Sequence, residues 1–290
     1  MDPHAYVERG WTSLDGLHLS GRDYPGAAGP ARLPVICLHG LTRNARDFED
    51  VAPAIAARGR RVLALDMRGR GRSAWTDDPA HYAVPVYAGD VIGWAYALGI
   101  ARAVFIGTSM GGLITLGLAL AAPGLVAAAV LNDISAQIAP QGLARIAGYA
   151  GGVEAVADWS QAAAYAQRTN GQAFPDYGPA DWDRFARRLF HERNGRIALD
   201  YDPAISQPIK AAQGQPVPDL WPMFDALAAN RPLLTIHGAL SDLLTPDILS
   251  IAQQRAPHMQ VATIDRVGHA PMLTEPQAAG ALAAFLDLVD

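Results

Sequence analysis

The sequence predicts an α/β protein with a mostly parallel sheet of about eight strands and helices on both faces. Short apolar runs rich in β-branched residues alternate with helix-forming stretches, as expected of parallel strands buried on both faces. The alternation stops after residue 133 and resumes at residue 231, which predicts an insertion. We therefore expect an α/β core over residues 1–133 and 231–290, with a helical cap or lid over residues 134–230.

The predicted elements follow one another in a regular order. Residues 6–24 should form a β-hairpin, because Asp15 and Gly16 supply a turn and alternating residues follow it. Apolar runs then predict strands over residues 33–38, 61–65, 103–106, 127–131, 232–236 and 260–264. The stretches between and after these strands predict helices over residues 46–58, 86–98, 113–122, 246–255 and 276–288.

The segment over residues 134–230 has a different character. Its helical stretches are rich in alanine and arginine, its loops are rich in proline and glycine, and no strand like those of the core is expected in it. Aromatic residues are scattered through it, namely Trp159, Tyr165, Phe174, Tyr177, Trp182, Phe185 and Trp221. We expect most of them to form a small core and some to line a substrate pocket, since pockets are lined mainly by apolar and aromatic groups.

Composition argues against several classes of protein. The chain has 290 residues and a formal net charge of −5, so nothing favours a nucleic-acid partner. No uninterrupted apolar stretch is long enough to span a bilayer, and residues 1–4 do not begin like a signal peptide. The single cysteine, Cys37, lies in an apolar run, and the histidines lack metal-binding spacing. We expect a cytoplasmic protein that acts on a small-molecule substrate without a cofactor, a metal or membrane contact; monomer and homodimer both remain open.

A glycine-rich turn around Ser109 carries the strongest chemical signal. The sequence Gly107-Thr108-Ser109-Met110-Gly111-Gly112 follows an apolar, β-branched run and precedes a helix-forming stretch. That is the context of a G-x-S-x-G nucleophile elbow, in which the serine hydroxyl stands above the end of a strand. The sequence therefore predicts Ser109 as a nucleophile.

A serine nucleophile needs a base and an acid to support that base. His269 follows the last predicted strand between small residues and is predicted to be the base. In proteins with such a nucleophile elbow, the acid and then the histidine follow the serine along the chain. Asp242 follows the preceding strand and fits this order, so it is predicted to be the acid. Asp133 is the competitor, because it ends the strand after the elbow helix and could reach the same histidine.

The negatively charged oxygen formed in acyl transfer needs hydrogen-bond donors. We predict the backbone N–H groups of Met110, which follows the nucleophile, and Leu41, in the loop after an apolar strand. His39 is expected to orient that loop through its ring nitrogens. The basic loop over residues 69–72 lacks the lysine and the spacing of a phosphate-binding loop and is expected to be held by arginine hydrogen bonds.

Five ordered motifs resemble a known family. They are Leu38-His39-Gly40, the loop from Asp66 to Ser73, the Ser109 elbow, His237-Gly238 with Asp242, and Gly268-His269. Together they resemble the α/β-hydrolase fold superfamily, in its serine-nucleophile form with a helical cap. Members of that family include esterases, lactonases and hydrolases of carbon–carbon bonds. Haloalkane dehalogenases and epoxide hydrolases resemble it too, but they carry aspartate at the nucleophile position, so Ser109 argues against both.

The resemblance leaves three functions to compare. The first is a serine hydrolase that cleaves a small carboxylic ester or lactone through an acyl-enzyme intermediate. The second is hydrolysis of carbon–carbon bonds in ring-cleavage products, whose carboxylates call for arginine; the candidates are Arg43, Arg145, Arg168, Arg187 and Arg188. The third is a non-catalytic receptor for a small molecule, which an incomplete triad would favour.

Overall fold

The computed structural model describes residues 6–152, 156–212 and 218–289. The described residues form ten strands: β1 (Val7–Thr12), β2 (His18–Tyr24), β3 (Val35–Leu38), β4 (Val62–Asp66), β5 (Ala103–Thr108), β6 (Val126–Asn132), β7 (Phe190–Arg193), β8 (Arg196–Leu199), β9 (Leu233–Gly238) and β10 (Gln260–Ile264). They also form ten α-helices: α1 (Val51–Ala57), α2 (Val84–Ala97), α3 (Met110–Ala121), α4 (Pro140–Tyr149), α5 (Trp159–Asn170), α6 (Pro179–Leu189), α7 (Gln207–Ala211), α8 (Trp221–Ala228), α9 (Pro246–Arg255) and α10 (Pro276–Leu288).

Eight strands form one sheet in the order β1-β2-β4-β3-β5-β6-β9-β10. The β1–β2 and β2–β4 pairs are antiparallel, and all other neighbours are parallel. Every residue of β3, β4 and β6 is buried, as expected of strands covered on both faces. The predicted α/β fold class and the β-hairpin at its start are therefore confirmed.

The carboxyl ends of the central strands lie side by side. Leu38 at the end of β3 pairs with Gly107 in β5. Asn132 at the end of β6 pairs with Thr108 on one side and with Ile236 in β9 on the other. The loops that follow these strands therefore meet at one edge of the sheet, which is where open parallel sheets place their binding sites.

The segment over residues 134–230 holds helices α4 to α8, but it also contains a hairpin that was not predicted. Strands β7 and β8 pair antiparallel, and the turn between them is Asn194-Gly195, with φ of 53° and 71°. An Asn-Gly pair is a strong hairpin signal, because both residues tolerate positive φ. Both strands have only four residues, and β7 carries Glu192 and Arg193, so it lacks the apolar pattern of the core strands.

This segment contacts the loops at the carboxyl edge of the sheet. The N–H of Ala139 donates to the carbonyl of Leu243 at 3.0 Å, and the N–H of Gly268 donates to the carbonyl of Ala173 at 2.7 Å. Helix α8, in contrast, packs against α3, which covers the sheet. The domain boundaries at residues 133 and 231 stay a prediction.

No helix in the described ranges is long and apolar enough to cross a membrane. Residues 1–4, on which the expectation about a signal peptide rests, lie outside those ranges.

Candidate active site

Ser109 occupies a sharp turn between β5 and α3. Its φ is 52° and its ψ is −114°, a conformation that non-glycine residues rarely adopt and that is common at functional sites. The neighbouring positions must be glycine, because other parts of the backbone pass too close to them to leave room for a Cβ. A Cβ on Gly107 would lie 2.5 Å from backbone atoms of Gly111, and a Cβ on Gly111 would lie 2.0 Å from the carbonyl oxygen of Leu38. These contacts fix the serine beside the loop that follows β3.

His269 joins Ser109 to a buried carboxylate. Its Nε2 lies 2.9 Å from Ser109 Oγ, and its Nδ1 lies 2.8 Å from Oδ2 of Asp133. Because a carboxylate only accepts, Nδ1 carries the proton and donates to Asp133, and Nε2 accepts from the serine hydroxyl. The His269 side chain is 7% exposed and that of Asp133 is 0% exposed, so both bonds are shielded from water.

Asp133 is stabilised in its buried position by several donors. It directly follows β6, with φ of 56°. The N–H of Gly238 donates to Oδ1 at 2.8 Å, and the hydroxyl of Ser241 donates to Oδ2 at 2.5 Å. Together with His269, these donors offset the cost of burying a carboxylate.

The structure corrects the prediction for Asp242. Its two carboxylate oxygens accept from Nε and Nη2 of Arg145 in α4, at 2.6 and 2.8 Å. The Arg145 guanidinium lowers the pKa of Asp242 below its ordinary value. The acid that contacts His269 is Asp133, and the loop of Asp242 contributes the Ser241 hydroxyl instead. The prediction failed because β6 and β9 are neighbours, so both acids reach the same edge of the sheet.

The two predicted oxyanion donors lie on either side of Ser109. Met110 begins α3, and the loop before Leu41 is so close that a Cβ on Gly40 would lie 3.8 Å from Ser109 Cβ. Within the described part of the chain, neither the Met110 N–H nor the Leu41 N–H donates a hydrogen bond. Both groups are therefore available to an anion formed next to Ser109. Leu41 also lines the cavity.

The ring of His39 holds the loop that carries Leu41. Its Nε2 accepts from the N–H of Met67 at 3.0 Å, so its Nδ1 carries the proton and donates to the carbonyl of Gly40 at 2.7 Å. Burial lowers the pKa of His39 to about 4, which keeps the ring neutral and in this tautomer. His39 therefore has the orienting role predicted from the sequence.

This lowered pKa gives a testable pH dependence of stability. Unfolded His39 takes up a proton near its ordinary pKa of 6.5, whereas folded His39 does so near 4. Acidification from pH 7 to pH 4 therefore favours the unfolded state by about 3 kcal/mol through this residue. In urea unfolding, wild type should lose about that much more stability over this interval than His39→Gln. The buried Asp66, whose pKa is raised to about 6, acts in the opposite direction but is present in both proteins. Parallel pH profiles would contradict the prediction.

The cavity above Ser109 is small and largely apolar. Its volume is about 80 Å³, space for several water molecules. Aromatic side chains from the insertion line it together with residues of the sheet edge; they are Tyr149, Tyr165, Phe174, Phe185 and Tyr201. Three of these are among the aromatic residues singled out from the sequence. Tyr177 and Trp182 instead pack against Phe174, in a small aromatic cluster.

Of the five arginines considered for a substrate carboxylate, Arg43 lines this cavity. Its guanidinium is already bound by the Asp47 carboxylate and lies 4.1 Å from the centre of the Phe185 ring. Arg145 is bound by Asp242, and Arg188 is bound by the carboxylates of Glu49 and Asp50. Arg168 and Arg187 lie over the rings of aromatic residues in the insertion. The cavity therefore presents no arginine whose charge is left to a substrate, as far as the described residues show.

Comparison with known proteins places the chain in a family. Residues 34–276 match the model of the alpha/beta hydrolase fold family. The chain is 33% identical over 270 residues to a 3-hydroxybutyrate-oligomer hydrolase of Cupriavidus necator, covering 90% of each chain. It is 28% identical over 260 residues to an esterase of Mycobacterium tuberculosis, covering 84% of this chain and 79% of the esterase. A crystal structure of an alpha/beta hydrolase from Novosphingobium aromaticivorans superposes with a TM-score of 0.90 at 45% identity, covering 97% of this chain and 98% of that one. The chain therefore belongs to the alpha/beta hydrolase fold family.

Proposed function

We propose that this protein is a serine hydrolase that cleaves small carboxylic esters through an acyl-enzyme on Ser109. The observation that carries the proposal is the position of His269, which hydrogen-bonds the serine hydroxyl with one ring nitrogen and the Asp133 carboxylate with the other. This arrangement activates a serine that is otherwise a poor nucleophile at neutral pH.

Each step of the reaction has a group in place for it. His269 Nε2 takes the proton of Ser109 as Oγ attacks the ester carbonyl, and Asp133 stabilises the resulting imidazolium. The N–H groups of Leu41 and Met110 bind the oxyanion. His269 then protonates the leaving alcohol, which gives the acyl-enzyme. Water, deprotonated by His269, attacks the acyl-enzyme and releases the carboxylic acid and Ser109.

The size of the cavity and one relative narrow the substrate class. A cavity of about 80 Å³ with aromatic walls suits a short acyl group. The Cupriavidus necator relative is named for hydrolysis of 3-hydroxybutyrate oligomers, which are esters of a four-carbon acid. We infer that this chain takes esters or oligoesters of short acids, or the related lactones. Neutralisation of Arg43 by Asp47 weighs against ring-cleavage products that carry carboxylates.

The test is hydrolysis of p-nitrophenyl esters from acetate to decanoate, with the methyl ester of the 3-hydroxybutyrate dimer and a small lactone assayed beside them. We expect kcat/KM to be highest for acetate to butyrate and to fall at least tenfold by octanoate, because longer chains exceed the cavity. Ser109→Ala should lose about 10⁶-fold in kcat on every ester, and Ser250→Ala, on the exposed part of α9, should match wild type.

Three results would contradict the proposal. Turnover in Ser109→Ala close to that of wild type would place the chemistry elsewhere. Turnover of a vinylogous diketone acid but of no ester would favour the carbon–carbon hydrolase, and the absence of both turnover and fluorophosphonate labelling would favour a receptor.

A further inference from the structure

Arg70, in the basic loop that follows β4, is buried directly behind the predicted oxyanion donors. The residue is 0% exposed. Its Nε donates to the carbonyl of Leu41 at 2.9 Å, and its Nη2 lies 3.6 Å from Met110 Sδ. Its Nη1 donates to the carbonyl of Arg68 at 2.8 Å and to the hydroxyl of Tyr87 at 2.7 Å. One guanidinium therefore contacts both residues that are predicted to supply the oxyanion donors.

Among the described residues Arg70 makes no direct ion pair, although the Tyr82 ring beside it carries a hydroxyl that donates to the buried Asp202 carboxylate. Arg68, two residues earlier, is held by Asp15 and Asp90, whereas Arg70 has no carboxylate within 4 Å in the ranges that the structure describes. Burial raises the pKa of the Tyr87 hydroxyl, which therefore stays neutral. All acceptors of Arg70 are thus uncharged. Burying a cation without a counter-charge is costly, so such a residue is a candidate for a functional role.

The loop around Arg70 is built to hold the guanidinium in place. The φ of Gly69 is 77°, and a Cβ there would lie 2.6 Å from the ring of Tyr82. The backbone of Arg70 forms a β-bridge with Tyr201, whose side chain lines the cavity above Ser109. The guanidinium lies 5.0 Å from the centre of the Tyr87 ring and 5.5 Å from that of Tyr82. Arg70 is therefore fixed against both the core and the cavity wall.

We propose that Arg70 is a positioning residue for the oxyanion hole, which holds the Leu41 and Met110 segments in place and supplies the positive charge behind them. The inference rests on the proposed function, since an oxyanion forms only if Ser109 attacks a carbonyl. The tetrahedral intermediate then places a negative charge beside the two segments that Arg70 contacts. An interaction that strengthens only in the transition state raises kcat rather than tightening substrate binding.

The kinetic consequence is specific. Acylation and deacylation both pass through a tetrahedral oxyanion, so loss of Arg70 should slow both steps by a similar factor and leave KM unchanged. Removal of one oxyanion donor costs about 10²–10³-fold in kcat in a serine protease. Loss of Arg70 should displace the donors rather than remove them, so we expect a loss of roughly 10–100-fold in kcat for Arg70→Met. Arg70→Lys, which keeps the charge, should recover part of that loss.

The experiment compares wild type, Arg70→Met, Arg70→Lys and Arg60→Met on p-nitrophenyl butyrate. Arg60 is a matched control, because it is also wholly buried and donates to backbone carbonyls, but at Leu33, Leu286 and Val289, away from the cavity. End-point labelling with a fluorophosphonate counts the folded sites in each preparation, so that kcat is expressed per labelled Ser109.

The proposal predicts a lower kcat per labelled site with constant KM in Arg70→Met, an intermediate kcat in Arg70→Lys, and wild-type kcat in Arg60→Met. It is overturned if Arg70→Met only reduces the number of labelled sites, if KM rises at constant kcat, or if Arg60→Met loses as much kcat per site. If Arg70→Met cannot be labelled at all, the same three quantities are compared in Arg70→Lys: kcat per labelled site, KM and the number of labelled sites. Failure of wild-type turnover, in contrast, would remove the proposed function itself.

Discussion

Asp133→Asn should lower kcat for ester hydrolysis by about 10⁴-fold, whereas Asp242→Asn should change it by less than tenfold. The large effect is that of converting the supporting aspartate to asparagine in a serine protease. Asp133 accepts from Nδ1 of His269 and so keeps Nε2 free to accept from Ser109. An asparagine amide would donate instead, reverse the tautomer and leave the imidazolium without a counter-charge. Steady-state kinetics on a short p-nitrophenyl ester measures the difference.

The controls for this comparison come from the ion pair of Asp242. Arg145→Ala breaks the same pair from the other side, so it should resemble Asp242→Asn in both activity and stability. Both partners are about a quarter exposed, and pairs of this kind contribute on the order of 1 kcal/mol or less. If Asp242→Asn loses about 10⁴-fold in kcat while Asp133→Asn keeps the wild-type kcat, the acid that supports His269 in solution is Asp242, as predicted from the sequence. Retention of activity in both variants would mean that His269 needs no acid.

Local patterns in the sequence were sufficient to predict the sheet and the elbow. Parallel strands buried on both faces are apolar throughout, so β3, β4 and β6 stand out in the sequence. The turn at Ser109 is equally local, because Gly107 and Gly111 are required by contacts within a few residues and with the adjacent strand. Signals of this kind do not depend on the distant parts of the chain.

Which acid contacts His269, and which residues form the cavity wall, is set by contacts between residues that lie far apart in the sequence. Asp133 and Asp242 follow neighbouring strands, and what distinguishes them is Arg145, which lies 97 residues from Asp242 in the chain. The same holds for Arg70, whose acceptor at Leu41 is 29 residues away. The sequence identified its loop as one held by arginine hydrogen bonds, but the partners of the guanidinium are set by how β4 and β3 pair. The hairpin of β7 and β8, in contrast, has a local sequence signal in the Asn194-Gly195 turn.

Ser109→Ala and His269→Ala should each lower kcat by about 10⁶-fold, and the double variant should be no worse than either. The reason is that the two residues act as one unit: without the base the hydroxyl is not activated, and without the hydroxyl the base has nothing to deprotonate. The bond of 2.9 Å between Ser109 Oγ and His269 Nε2 is the contact that couples them. In subtilisin, removal of the serine or the histidine alone costs about as much as removal of the whole triad.

Residual activity separates this coupling from simple misfolding. The Leu41 and Met110 N–H groups remain in all three variants, so each should still hydrolyse the ester about 10³–10⁴-fold faster than water does. Fluorophosphonate labelling should be lost in Ser109→Ala and strongly slowed in His269→Ala, while urea unfolding stays close to wild type in both. Losses that multiply in the double variant would show that Ser109 and His269 contribute independently. In that case the hydrogen bond between them would not be the origin of the activity.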